Sequence, residues 1–138
     1  MLFRSTGGML GARFTATPGS SDYFLGGFIT YSDALKTELL GVTPETLKEF
    51  GAVSPETAEA MAVGARTRTA STYAIAITGI AGPAGGTEQK PVGLVYVAVA
   101  DAAGTLVVNR QFLADRQRVR VFTTQMALDL LRRRLTGR

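Results

Sequence analysis

Residues 73–78 read Tyr-Ala-Ile-Ala-Ile-Thr, a stretch with no charged side chain on either face of an extended chain. Such a run suits a strand in a central position of a sheet rather than one at its edge. The remainder of the chain must supply the cover. With 138 residues, 46% of them apolar, there is material for one domain with a single sizeable core.

The flanking segments read as helices and further strands. Residues 6–17 place Met9, Leu10 and Phe14 at helical spacing behind Thr6, which is expected to cap the first turn, and Pro18-Gly19 ends that helix. Residues 26–32 (GGFITYS), rich in β-branched and aromatic residues, predict a short buried strand. Helix starts follow at Asp33 and at Thr43-Pro44, and the two short helices stop at Gly41 and Gly51. Ser54-Pro55-Glu56 opens a longer helix to about Thr69, with Ala58, Met61, Ala62 and Ala65 as a small apolar face suited to packing on a sheet. Residues 92–100 and 106–113 predict strands joined by a hairpin-like turn at Asp101-Ala102-Ala103-Gly104. Asp115 caps a last helix to about Leu135, with Val119, Phe122, Met126, Leu130 and Leu131 on its apolar side. Helices interspersed with strands, plus one antiparallel hairpin, predict an α/β sandwich with a mixed sheet.

The chain contains no Cys and no His. Disulfides, thiol chemistry and imidazole acid–base chemistry are thereby excluded, and with them the residues that dominate zinc and transition-metal sites. Neither a metal nor a cofactor is expected. Catalysis would have to run on Ser, Thr, Tyr, Lys, Arg or carboxylates. No apolar run reaches the roughly 18 residues of a membrane span, and Thr6, Gly7 and Gly8 interrupt the opening too early for a signal peptide. A soluble, cytoplasmic protein is the expectation, although the lack of cysteine leaves the redox compartment undetermined.

Charge is unevenly placed. Residues 110–138 carry eight arginines against two aspartates, whereas residues 1–109 hold seven basic and nine acidic groups. A basic helix can attract nucleic acid or a phosphate-bearing ligand. Arg132, Arg133, Arg134 and Arg138 also suit a solvated helix end, where cations complement the dipole. No aromatic residues interleave with these arginines, so nucleic acid is the minor alternative.

Four segments could carry chemistry. Ser5-Thr6-Gly7-Gly8 running into a helix can expose backbone N–H groups to an anion, or can be a cap with two permissive glycines. Tyr31-Ser32 at a strand end precedes Lys36 by one helical turn; a lysine desolvated by burial can act as base to a hydroxyl nucleophile, while a solvated helix charge is the plainer alternative. The loop Thr78-Gly79-Ile80-Ala81-Gly82-Pro83 through Gly85-Gly86 to Lys90 is too long for a tight turn, and its glycines admit close backbone approach to a ligand. Arg116 and Arg120 lie on one helix face near its start, where a bound phosphate or a surface ion pair would explain them.

In this order, Thr6-Gly7-Gly8, Tyr31 to Lys36 (YSDALK), Gly51 to Ser54 (GAVS), the run Thr78 to Tyr96 and Asp115 to Arg120 resemble the C-terminal domain family of CinA, the competence/damage-inducible protein, over nearly the whole chain. The resemblance implies a three-layer α/β/α fold and a nicotinamide-nucleotide amidohydrolase of Ser/Lys type, which converts nicotinamide mononucleotide and water to nicotinate mononucleotide and ammonia without a metal. Position by position, it implies Lys36 as the catalytic lysine and Tyr31 as a tyrosine lining the same site. It further implies Thr6, Gly7 and Gly8 as the helix start after the nucleophile, Thr78, Gly79, Ile80, Ala81, Gly82, Gly85 and Gly86 as the substrate loop, and Arg116 and Arg120 toward the nucleotide phosphate.

The residues ahead of the Thr-Gly-Gly depart from the pattern. The family reads Glu-Ser-Cys before the Thr-Gly-Gly, with that Ser as nucleophile, whereas this chain reads Phe3-Arg4-Ser5. A guanidinium cannot attack an amide, so activity would need Ser5 or Thr6 to substitute, and displaced reacting atoms cost heavily in rate. The resemblance also implies a helix and a strand ahead of this point, of which Met1-Leu2-Phe3 would be the remnant, so strands 26–32 and 73–78 are expected to lack a neighbour. An incomplete sheet invites pairing between copies, hence a possible homo-oligomer. The expectation is a weak or inactive amidohydrolase domain whose partner is a pyridine nucleotide; a non-catalytic nucleotide- or partner-binding module is the alternative.

Overall fold

A computed structural model describes residues 6–138 and the backbone of residues 2–3. Strand β1 (Leu2–Phe3) is followed by α1 (Met9–Thr15), a single 3₁₀ turn at Ser20–Asp22, α2 (Asp33–Leu40), α3 (Pro44–Phe50) and α4 (Pro55–Thr69). Strands β2 (Ala74–Gly79), β3 (Leu94–Asp101) and β4 (Gly104–Gln111) come next, and α5 (Arg116–Thr136) closes the chain.

The sheet is ordered β1-β2-β3-β4. Leu2 lies opposite Ala76 and Phe3 opposite Ile77 in parallel, whereas β2–β3 and β3–β4 are antiparallel. The sheet is therefore mixed. The expected vacancy beside β2 is corrected at Ala76 and Ile77, where β1 forms the ladder.

Alternation along the central strands separates the two covers. Ala74, Ala76, Ala98 and Ala100 face Ala58, Met61, Ala62 and Ala65 of α4, so small side chains on both partners bring helix and sheet close. On the opposite face Ile75, Ile77, Val97 and Val99 meet Leu10 of α1 and Ala127 and Leu130 of α5. The result is a three-layer α/β/α sandwich. Helix α2 joins the α4 layer at Gly64, where an added Cβ would stand 1.9 Å from the Leu40 carbonyl oxygen.

Capping sets the helix boundaries. Hydroxyls of Ser32, Thr43 and Ser54 accept from the N–H groups of Leu35, Thr46 and Thr57, and the Asp115 carboxylate accepts from that of Arg118. Two expectations fail. Thr6 does not cap α1: Gly7 and Gly8 both take left-handed conformations (φ 58° and 96°), which moves the helix start to Met9, and the carbonyl of Thr6 rather than its hydroxyl receives the Met9 N–H. Residues 26–32 do not form a buried strand. They contain one bridge, at Phe28, with Ile29 and Tyr31 exposed, because extended propensity without a neighbouring ladder gives only extended chain. Phe122, expected on the buried side of α5, is partly exposed and packs against Phe112 with ring centroids 5.6 Å apart; Thr123, Thr124 and Ala127 take the buried positions.

Among the described residues no helix is long and apolar enough to cross a membrane.

Candidate functional site

The carboxyl end of β2 opens into the long glycine loop, and two other chain segments meet it. These are the stretch carrying Tyr31, just ahead of α2, and the start of α5. A cleft of about 180 Å³ forms there, lined by Tyr31, Gly79, Ile80, Ala81, Gly82, Ala84, Gly85 and Arg116. Strand ends in α/β sheets are where ligands collect, and the backbone here is arranged accordingly.

Arg116 spans the cleft. Its guanidinium donates to the Gly82 carbonyl at 2.9 Å and lies 3.5 Å from the Tyr31 hydroxyl. These contacts orient a planar donor group that still has N–H directions to spare, beside the positive end of α5. An anion would meet a pre-set guanidinium rather than a waving one. Arg120, one turn further on, points elsewhere: it donates to the Thr6 carbonyl at 2.9 Å and to the Gln117 side chain at 3.0 Å. It ties α5 to the start of α1 and does not line the cleft.

Lys36 is fully buried. Its side chain folds back toward the start of α2, where Nζ donates to the Asp33 carboxylate at 3.1 Å and to the Ser32 carbonyl at 3.3 Å. A lysine buried to this degree is unusual for a helix surface and requires such partners. The sequence marks Asp33 only as a helix start, although its spacing of three positions before Lys36 on one helix is a usable signal for the pair.

None of the other described residues singled out by sequence lines the cleft. Thr6 is fully buried just ahead of α1, and its hydroxyl, like that of Thr30, finds no hydrogen-bond partner among the described residues. Gly7 and Gly8 let Arg120 and Ile29 close in on that turn, with an added Cβ 3.4 Å and 3.3 Å from them respectively. Thr78 is buried and donates to the Ala52 carbonyl at 2.5 Å, so it anchors the loop from behind. Gly86 packs on the backbone of Val92. Ser5, together with Arg4, lies outside the described residues. Two residues of the loop to which the sequence assigned no individual role also take part: Ala84 in the lining, and Lys90, whose ammonium reaches the Phe50 carbonyl.

A larger cavity of about 510 Å³ lies at the opposite end of β2, against Phe14, Phe24, Tyr73, Leu131 and Leu135. It contains none of the sequence-predicted site residues and is mainly aromatic and aliphatic, so the chemistry-bearing groups concentrate in the smaller cleft.

Comparison with known proteins identifies the family of the domain. The model of the CinA C-terminal domain matches residues 4–135. A CinA-like protein of Solibacter usitatus is 70% identical over 134 residues, covering 97% of this chain and 32% of that protein, and one of Koribacter versatilis is 54% identical over 130 residues. The chain thus spans about a third of the length of the curated relatives it matches. Among solved structures, the competence/damage-inducible protein CihA of Agrobacterium tumefaciens superposes with a TM-score of 0.91 at 42% identity, over 94% of this chain and 80% of that one. A CinA superfamily protein of Klebsiella pneumoniae gives 0.95 at 31% identity, over 99% and 86%.

Proposed function

The chain belongs to the CinA C-terminal domain family, and from that premise we propose that it is a nicotinamide-nucleotide amidohydrolase domain, acting on the carboxamide of nicotinamide mononucleotide with a Ser/Lys-type site and a weakened nucleophile. The observation that carries the proposal is the cleft itself. An oriented guanidinium, a tyrosine and a glycine-rich backbone line it, and a buried lysine sits at the start of the neighbouring helix.

The roles follow from the chemistry of each group. Arg116 binds the phosphate, which its remaining N–H donors and the start of α5 favour. The loop from Gly79 to Gly85 brings backbone N–H groups against the ligand, where they stabilise charge that develops on the carboxamide oxygen. Lys36, in its neutral amine form, accepts the proton of the attacking hydroxyl and becomes the ammonium that the Asp33 carboxylate is placed to hold. A carbon–oxygen bond forms as the carbon–nitrogen bond breaks, ammonia leaves with the proton, and water then hydrolyses the ester to nicotinate mononucleotide. Of the two hydroxyls that could substitute at the position of the family's serine, Ser5 is favoured, because the Thr6 hydroxyl is enclosed. Arg4 at the serine's own position slows the reaction.

The purified chain should release ammonia from nicotinamide mononucleotide slowly, and Ser5→Ala or Lys36→Met should abolish that release. A rate unaffected by Lys36→Met overturns the assignment. Arg4 also favours a second reading, a nucleotide-binding module without turnover. Calorimetry that detects nicotinamide mononucleotide binding, with no ammonia formed on long incubation, would establish that instead.

A further inference from the structure

The glycine loop between β2 and β3 is fastened at both ends to one tripeptide, Phe50-Gly51-Ala52, at the end of α3. At the near end, the buried Thr78 hydroxyl donates to the Ala52 carbonyl. At the far end, Lys90 Nζ donates to the Phe50 carbonyl at 2.5 Å, across 40 positions of sequence. Between them the Gly51 carbonyl accepts from Ser54 Oγ at 3.1 Å and Thr57 Oγ1 at 2.7 Å, which fixes the tripeptide to the start of α4. Every carbonyl of the tripeptide is therefore engaged by a side chain.

Residue 51 supplies an independent sign of the same arrangement. An added Cβ there would stand 2.8 Å from Lys90 Nζ, and the backbone is left-handed at φ 78°, so only glycine leaves the ammonium its seat. The last carbonyls of a helix also favour a cation. Lys90 in turn is held by a reciprocal turn, with Thr87 N–H donating to the Lys90 carbonyl at 2.8 Å and Lys90 N–H to Thr87 Oγ1 at 3.0 Å.

The clamp is connected to the cleft by packing. Val92, two residues beyond Lys90, fills the space beside both Gly82 and Gly86, where added Cβ atoms would come within 2.4 Å and 2.8 Å of it. Gly82 lines the cleft and receives Arg116. Displacing the Lys90 end of the loop therefore shifts the carbonyl that orients the guanidinium.

We propose that Lys90 is a positioning residue of the nucleotide cleft, clamping the loop onto the end of α3 so that Gly82 and Gly85 are presented to the ligand in a fixed shape. The proposal rests on reading the cleft as a nucleotide site. The clamp itself can be tested without that reading.

The absence of cysteine makes the test clean, because Lys90→Cys introduces a single thiol. Alkylation of that thiol with bromoethylamine restores an ammonium at nearly the native reach. Lys90→Cys should weaken nicotinamide mononucleotide binding roughly tenfold and speed amide hydrogen exchange in residues 80–87 by a similar factor, as loss of one charged hydrogen bond implies. Aminoethylation should return both to parent values, while exchange in β3 stays unchanged throughout. Exchange in residues 80–87 that matches the parent in Lys90→Cys, or that stays fast after complete alkylation, overturns the clamp, as does acceleration spread equally into β3. If the parent chain fails to bind nicotinamide mononucleotide, the nucleotide reading falls, and the exchange measurements still decide the role of Lys90.

Discussion

The two ends of α5 use the same side chain for different work. Near the start, Arg116 and Arg120 reach off the helix to backbone carbonyls of other segments, at Gly82 and Thr6. Near the end, the arginines meet carboxylates: Arg132 and Arg133 share Asp129, and Arg134 makes a two-pronged pair with Asp101 at 2.6 and 2.8 Å. An arginine neutralised by a carboxylate has little left for a ligand. One held by a neutral carbonyl keeps its charge, and of the two held in this way only Arg116 lines the cleft, while Arg120 ties α5 to the turn before α1 and Arg118 pairs with Asp115.

Arg116 is where substitution should separate the two ends of α5 most clearly. Arg116→Met should weaken nicotinamide mononucleotide binding by about 10- to 100-fold, the loss of one charge-assisted contact to phosphate, while the melting temperature stays near the parent's. Calorimetry and a thermal scan on the same preparation check both halves. Arg120→Met should do the reverse, lowering stability by about 1–3 kcal/mol because the Thr6 carbonyl loses its charged donor, with a smaller change in affinity. Denaturant midpoints measure it.

At the other end the signature is in pH. The Arg134 guanidinium holds the Asp101 carboxyl down at about 2. A carboxyl held low in the folded chain adds stability at pH values above its unfolded value near 4, and that contribution fades as pH falls from about 4 toward 2. Arg134→Met should therefore flatten the melting temperature's dependence on pH in this interval. An unchanged slope contradicts the assignment. The smallest effect belongs to the exposed pairs, where Arg132→Gln should alter stability by no more than about 0.5 kcal/mol, read from the same denaturant midpoints.

How far the sequence discloses this division depends on the range of the interactions. Local signals served well. The Ser54-Pro55 start of α4, the Asp115 start of α5 and the Asp101 to Gly104 turn lie where capping and turn chemistry put them, because those contacts join residues a few positions apart. The apolar run at 73–78 lies in the interior of the sheet, displaced by one residue from the strand observed.

Contacts between distant segments were not legible in this way. Residues 26–32 have the composition of a strand, yet a ladder needs a partner, and composition cannot specify one. The capping expectation at Thr6 missed that two consecutive left-handed glycines delay the helix. In the site, a glycine-rich loop and an arginine at a helix start were visible as residue types, whereas the turning of Arg120 toward Thr6 and the reach of Lys90 to Phe50 depend on tertiary placement. The burial of Lys36 lies between these cases. Its carboxylate partner was three residues away in plain view, but only the packed fold shows that solvent is excluded from the amine.

On the proposed reading, the lysine half of a Ser/Lys amidohydrolase site is intact while the serine half is compromised by Arg4. Ammonia release from nicotinamide mononucleotide, measured for the parent chain, Arg4→Ser, and Arg4→Ser combined with Lys36→Met, tests it most directly. Arg4→Ser should raise the rate at least tenfold over the parent, and adding Lys36→Met should remove the gain. A parent rate that Arg4→Ser leaves unchanged, or a gain that survives Lys36→Met, would contradict it.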